Sequence, residues 1–394
     1  MKNVENNLLN LWHKEAFSLS SPLLIKPIID RNIVQYIYSS LLQFFKLEYF
    51  HPSPPDTPIE DINWIHSLLA NKENLGCYYA LNEICNLLNY YESIKKELPN
   101  SMEGAVKDPK ILRTFLFELF IYQKLDNAGI LNKKKVVRNN QELEGVCQIN
   151  GREFLFECKK AYYPKLDSLD ALVYVLKTFS AKRTMFNNPQ GMICFLTVPK
   201  PIVKGFKKAF NAYLPTLVNL NNSLSASTPE FSEDLFGGKV TVKLYDEIDF
   251  IEAHLQNNYD ILFYLKPVSR LDGLRYLYGK SVVNFSQYQS EIFKKLEGIL
   301  KKVKMQHRPF NGPKIIFIDT EAYPEFRMGL FQTEKSVVIT EIDRIINKER
   351  FANTIICITR RSIKEGKLVN DVYIYAPPNL NEEGRIAGRM FEQN

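Results

Sequence analysis

The chain has 394 residues, 45% hydrophobic and 12% aromatic, enough to bury a sizeable core over two or three domains, and its 24% charged share is too ordinary for extended disorder. The net charge of +7 fits an anionic partner without requiring one. There is no apolar run of about 18 residues and no unbroken hydrophobic stretch near the N-terminus, which argues against a membrane span and a signal peptide.

The six cysteines are scattered through apolar segments with no CxxC pair and no Cys/His spacing suited to zinc, so reduced, buried thiols in a cytoplasmic protein are expected. Basic residues gather at "KKKVVR", "KPIVKGFKK", "KKLEGILKKVKMQHR" and "TRR"; any one of these runs also reads as a solvated surface.

In chain order, residues 1–107 show helical periodicity in "IVQYIYSSLLQFFKLEYF" and "GCYYALNEICNLLNYYESIKKEL". A Pro-rich loop, "HPSPPDTPIED", lies between them, and Asp61 is placed to cap the helix that follows. "KILRTFLFELFIYQKLDNAG" predicts a helix that stops at Gly129. Ile111, Phe115, Glu118, Tyr122 and Leu125 follow its apolar rhythm, so Glu118 needs a partner if it is buried.

After "KKVVRN" comes "ELEGVCQINGREFLFECKK", where Asn150-Gly151 between alternating runs predicts a type I′ hairpin turn. That turn sets Ile149 against Arg152, and further out Glu144 against Glu157 and Glu142 against Lys159. Alternation puts Glu142, Glu144, Glu157 and Lys159 on one face and Leu143, Cys147, Ile149, Phe154, Phe156 and Cys158 on the other. Opposed acids about 5 Å apart repel, and a divalent cation between them would offset that. The bland alternative is a solvated strand face.

A helix is predicted in "SLDALVYVLKTFSAKRTMF", whose Lys177, Lys182 and Arg183 are candidates for contact with a phosphate backbone. A buried strand, "GMICFLTV", follows it, and beyond residue 200 a helix is read at "IVKGFKKAFNAYL" and a polar loop at "NNSLSASTPEFSED". Strands are predicted at "KVTVKLY", "DILFYL", "KIIFID", "SVVIT", "TIICIT" and "DVYIYA", with a long helix near 284–304. "GLRYLYGKS" is a poor phosphate loop, since its glycine spacing is wrong and Tyr276 and Tyr278 are too bulky for amides to wrap a phosphate.

A helix with an internal glutamate, then a hairpin carrying an acid and an acid-x-Lys element, then helix and strand, resembles the PD-(D/E)XK nuclease superfamily over about residues 108–200. The resemblance implies a restriction-endonuclease-like mixed sheet flanked by helices. An all-helical region (1–107) would precede it and a further α/β region (201–394) would follow. It also implies catalytic roles for Glu144, Glu157, Lys159 and Glu118, and Mg²⁺ or Mn²⁺ held by Glu144, Glu157 and the backbone carbonyl of Cys158. The first acid is Glu where Asp is usual and follows Leu143, not Pro, and Glu142 competes with Glu144 for that role.

The function implied is metal-dependent hydrolysis of phosphodiester bonds in nucleic acid, DNA favoured over RNA, in restriction or antiphage defence. The rival is an inactive nucleic-acid-binding or assembly protein with a nuclease-like core, contacting a protein partner or a second copy of itself.

Overall fold

The computed structural model describes residues 8–19, 30–50, 64–70, 75–98, 101–138, 141–160, 174–175, 178, 185–186, 192–197, 205–225, 227, 230–235, 238–244, 261–269, 275–283, 289–307, 310, 312–320, 335–364 and 367–391. Asp61, the expected helix cap, and Lys177, Lys182 and Arg183 lie outside them. The chain divides into two compact units, one formed by residues 1–163 with 290–394 and the other by 164–289.

The first unit begins with helices α1 (Leu8–Leu19), α2 (Arg31–Phe44), α3 (Trp64–Ala70), α4 (Leu75–Ile94), α5 (Ser101–Val106) and α6 (Pro109–Asn127). Asp30 caps α2, its carboxylate accepting from the Asn32 amide at 2.8 Å. The stop expected after α6 is present: Gly129 is left-handed at φ 67° and the Ile130 amide donates to the Leu125 carbonyl at 3.0 Å.

Strands β1 (Leu131–Arg138), β2 (Gln141–Ile149) and β3 (Arg152–Lys160) follow as an antiparallel meander. The turn matches the Asn-Gly expectation, with Asn150 and Gly151 at φ 51° and 75° and Ile149 paired with Arg152.

The chain then enters the second unit, which is described by itself. Strands β4 (Met192–Thr197), β5 (Glu230–Leu235), β6 (Gly238–Lys243), β7 (Ile261–Ser269) and β8 (Arg275–Val283) form an antiparallel sheet in the order β5-β6-β4-β7-β8. Helix α7 (Phe206–Ser223) packs Phe206, Phe210, Leu214 and Leu217 onto Cys194, Leu196, Val240 and Val242. "GLRYLYGKS" is mostly strand β8, and the loop read at "NNSLSASTPEFSED" includes strand β5.

Back in the first unit come α8 (Gln289–His307), β9 (Lys314–Asp319), α9 (Lys335–Glu349), β10 (Thr354–Lys364), β11 (Lys367–Tyr375) and α10 (Asn381–Arg389). Its mixed six-stranded sheet runs β1-β2-β3-β9-β10-β11, with β9 parallel to both β3 and β10.

One sheet face, with Cys147, Ile149, Phe154, Phe156, Cys158, Ile315 and Phe317, joins the core of the N-terminal helices. The other face, with Ile316, Ile318, Ile356 and Ile358, packs on α8 and α9 through Leu296, Leu300, Ile342 and Ile346. The unit is therefore a mixed sheet flanked by helices.

Three expectations need correction. "GMICFLTV" is not the strand that follows the hairpin in the sheet; that place belongs to β9, which comes after residues 164–289 in the chain, and "GMICFLTV" provides β4 of the other sheet. "SVVIT" lies in helix α9, where Ile342, Ile345 and Ile346 recur at helical spacing on a buried face and override the β-branched run. Leu143 faces Val136, Val146, Leu155 and Phe310, away from Cys147 and Ile149, because the alternation breaks in β2.

Gly145 is tightly enclosed in this part of β2. A Cβ there would stand 2.3 Å from the Lys133 carbonyl oxygen and 2.6 Å from Phe156 Cζ, so strand and ring close on a position only glycine fits. Gly145→Ala is expected to cost about 3 kcal/mol, at the upper end of core overpacking because a backbone atom must move. Chemical denaturation checks this, and a loss below about 1 kcal/mol would show that the strands yield easily.

Candidate active site

The site forms where α6 packs against the meander β1–β2–β3. Glu118 lies on the inner face of α6 with a side chain 12% exposed, while Ile111, expected on the same stripe, is exposed. One turn on, Tyr122 is fully buried and packs edge-on against Phe156 with centroids 5.9 Å apart. Its hydroxyl donates to the Glu144 backbone oxygen at 3.0 Å and to the Glu144 carboxylate at 3.3 Å. Burial, then the charges of Glu144 and Glu118, push the phenol's pKa up, so it stays a neutral donor.

Lys135 is the residue that sequence reasoning missed. Lys134 pairs with Gly145 and Val136 with Leu143, so Lys135 stands across from Glu144, and it does so with left-handed backbone at φ 48°. Its ammonium donates to the Glu144 carboxylate, reaches Glu118 at 3.3 Å and lies 3.8 Å from Glu142. Burial pulls this lysine down, but Glu118 and Glu144 outweigh burial and hold it above its ordinary value. In the sequence it is one of a basic run; only the pairing of β1 with β2 separates it from its neighbours.

Glu157 is buried on β3, its Oε1 accepting from the Lys159 ammonium. Its Oε2 is buried with no hydrogen-bond partner among the described residues. Burial raises its carboxyl, Lys159 lowers it and Glu144 raises it again, so the two acids share one electrostatic neighbourhood. The β2–β3 ladder runs to Gly145↔Phe156, one step short of the expected Glu144–Glu157 pair. In place of direct opposition each acid takes its own lysine: Glu144 takes Lys135 and Glu157 takes Lys159.

The expected Glu142–Lys159 pair is replaced in the same way, since Glu142 is 64% exposed and nearest to Lys135. Of the two competing first acids, Glu144, at 13% exposed, is the one turned inward. Cys158, between Glu157 and Lys159, faces the helical core. Burial, reinforced by the nearby glutamates, drives its thiol well above the ordinary range, so the sulfur is inert packing.

Next to this group, Lys160 at the end of β3 donates to the buried Asp319 at the end of β9. This contact spans 159 positions, and no local signal predicts it.

No family model matches the chain, and no curated protein or solved structure does so either. The chemistry therefore rests on the residues themselves.

Among the described residues, no three His, Cys, Asp or Glu side chains converge to hold a metal ion in this arrangement. Hard divalent cations need only one or two carboxylates when waters and substrate oxygens complete the shell. Glu144 and Glu157 carry such oxygens, and the buried Glu157 Oε2 has no hydrogen-bond partner among the described residues, so the donor chemistry suits Mg²⁺ or Mn²⁺.

Burial and the nearby Glu144 together push Glu118 up to about 7, against the pull of Lys135. The raised value means that the fold favours the protonated acid. The associated stability is present below the ordinary value of 4.5 and is lost as pH rises through about 7. Glu118→Gln is expected to remove that loss, so that urea midpoints at pH 5 and pH 8 draw closer together in the variant than in the parent. An unchanged gap would place the titration elsewhere.

Proposed function

We propose that the chain is a metal-dependent nuclease of the PD-(D/E)XK type that hydrolyses phosphodiester bonds in nucleic acid, with DNA favoured. The observation that carries this reading is Glu157: a buried carboxylate with one oxygen on Lys159 and the other without a partner, in one neighbourhood with Glu144 and Glu118. A buried acid left half-satisfied costs stability, and a function is a reason for keeping it despite that cost.

In this reading Glu144 and Glu157 hold the cation, which when bound neutralises phosphate charge and lowers the pKa of a water. Lys159 holds an ammonium beside Glu157, where it orients the attacking water and offsets charge on the phosphate. Tyr122 fixes the Glu144 carboxylate against rotation. Glu118 shares the Lys135 ammonium with Glu144 and tunes how much negative charge the cluster carries.

One observation favours the rival, an inactive nucleic-acid-binding or assembly protein: Lys135 already compensates Glu118 and Glu144 without any metal. The two readings separate in one assay. Plasmid, single-stranded DNA and RNA are incubated with the protein in Mg²⁺, Mn²⁺ or EDTA, beside Glu157→Ala and Lys159→Ala. Metal-dependent cleavage that both variants lose supports the nuclease. Binding without cleavage in every condition supports the rival, and cleavage unchanged in both variants removes these residues from the site. A role in restriction or antiphage defence is part of the same proposal and rests on fold analogy alone.

A further inference from the structure

Between the sheet and the ends of α8 and α9 lies a cavity of about 560 Å³. Lys314, Ile316 and Thr354, from β9 and β10, contribute to its lining, as do Lys301, Lys304 and Met305 of α8 and Arg350 and Phe351 just after α9. Four of the lining side chains are cationic, and Glu349 is the carboxylate among them. We infer that this cavity is a second ligand site, taking a small phosphate-bearing molecule with a flat apolar body, of the size of a nucleoside monophosphate.

Two of the cations have structural work to do. The Lys304 ammonium donates to the Glu349 backbone carbonyl, and Lys301 pairs with Glu297 at 2.7 Å. Lysines at helix C-termini are expected there because they offset the helix dipole. The other two do neither: Lys314 is half-buried and Arg350 is exposed. Neither the Lys314 ammonium nor the Arg350 guanidinium has a hydrogen-bond or ion-pair partner among the described residues, yet both line the same cavity.

Lys314 is partly withdrawn from water on its strand, and burial pulls its ammonium below the ordinary value. A cation desolvated without a counter-charge is unfavourable, and an anion in the cavity would reverse that. Arg350 sits at φ 53°, the left-handed position after α9 where glycine is the usual occupant. An arginine at that place lines the cavity at the expense of a relaxed helix end.

The apolar lining from Val303, Met305, Ile316 and Phe351 would cover the body of the ligand. The volume lies in the range of single small-molecule sites, roughly 300–1,000 Å³, and a lone phosphate would fill little of it.

Ile316, which lines the cavity, is the strand neighbour of Glu157, so the test carries a Glu157→Gln arm to distinguish this site from the glutamate cluster. Calorimetric titration of the full chain with adenosine monophosphate, adenosine and inorganic phosphate tests it. The monophosphate is expected to bind with a Kd below a millimolar, and adenosine or phosphate alone at least about tenfold more weakly. Arg350→Gly is expected to raise the melting temperature, because it relaxes the backbone, and to weaken monophosphate binding about tenfold. Lys314→Met is expected to weaken it similarly, while Lys95→Met, on a surface lysine of the N-terminal region, leaves it unchanged.

No binding at millimolar monophosphate would overturn the inference. So would unchanged affinity in Arg350→Gly and Lys314→Met, or adenosine binding as tightly as its phosphate. Phosphate binding as tightly as the monophosphate would refute the apolar half of the site. Glu157→Gln is expected to retain the affinity; its loss there would move the ligand to the glutamate cluster and overturn the assignment.

Discussion

Glu157→Gln is expected to abolish metal-dependent cleavage, lowering kcat by about 10³-fold or more, while leaving nucleic-acid affinity within about threefold. The substitution keeps the shape of the side chain and one carbonyl oxygen but removes the charge. In the proposed centre a carboxylate holds the cation and so sets the field at the scissile phosphate, where several kcal/mol of transition-state stabilisation reside. Direct titration with Mn²⁺ gives a readout independent of turnover, and the variant is expected to bind the cation at least about tenfold more weakly.

Stability is expected to move the other way. Burial dominates the raised pKa of Glu157, so the neutral amide avoids the desolvation of a buried charge. A variant that loses activity, holds its fold and loses Mn²⁺ binding satisfies the proposal. One that loses activity with Mn²⁺ binding intact would make Glu157 a structural acid.

How far these parts could be read in advance depended on the range of the interactions behind them. The Asn150-Gly151 turn demands left-handed backbone at two successive positions, a local requirement, and from it the pairing out to Gly145↔Phe156 follows step by step. The same argument fails at Glu144: the ladder to β3 stops at Gly145↔Phe156, Lys135 across from Glu144 is left-handed, and Leu143 packs in a different cluster from Cys147 and Ile149.

Glu118 announced itself as a charge on an apolar stripe, but the partner it needs, Lys135, comes from a different strand. The neighbour of β3 was beyond local reasoning. "GMICFLTV" and "KIIFID" are both short and mostly apolar, and only the tertiary arrangement puts Lys314–Asp319 beside Glu157 and sends Met192–Thr197 to the other sheet. Helix α9 was missed for a related reason: "SVVIT" has strand-forming residues, and the deciding pattern lies in the residues after it.

Lys135→Met is expected to destabilise the first unit by about 3 kcal/mol, measured by urea denaturation at pH 8. The ammonium serves Glu118 and Glu144 together, both of which are mostly buried, so its loss leaves two carboxylates close to each other without a counter-charge. Surface pairs cost far less to break, and the size of the loss is itself a check on the burial. Glu118 is already raised to about 7 with Lys135 beside it, and without the lysine it rises further. The penalty should therefore shrink as pH falls below that value and the acid protonates.

A divalent cation then separates the two functional readings. If Glu144 and Glu157 can hold a metal, millimolar Mn²⁺ should recover most of the lost stability in Lys135→Met, because the cation replaces the missing positive charge, and recovery should vanish in Lys135→Met with Glu144→Gln. If the cluster is purely structural, Mn²⁺ leaves the variant as unstable as before, while Glu144→Gln alone restores it by removing one of the two charges. In the first case Lys135 is the internal cation that a metal displaces or joins. In the second it is the whole answer to the crowded acids.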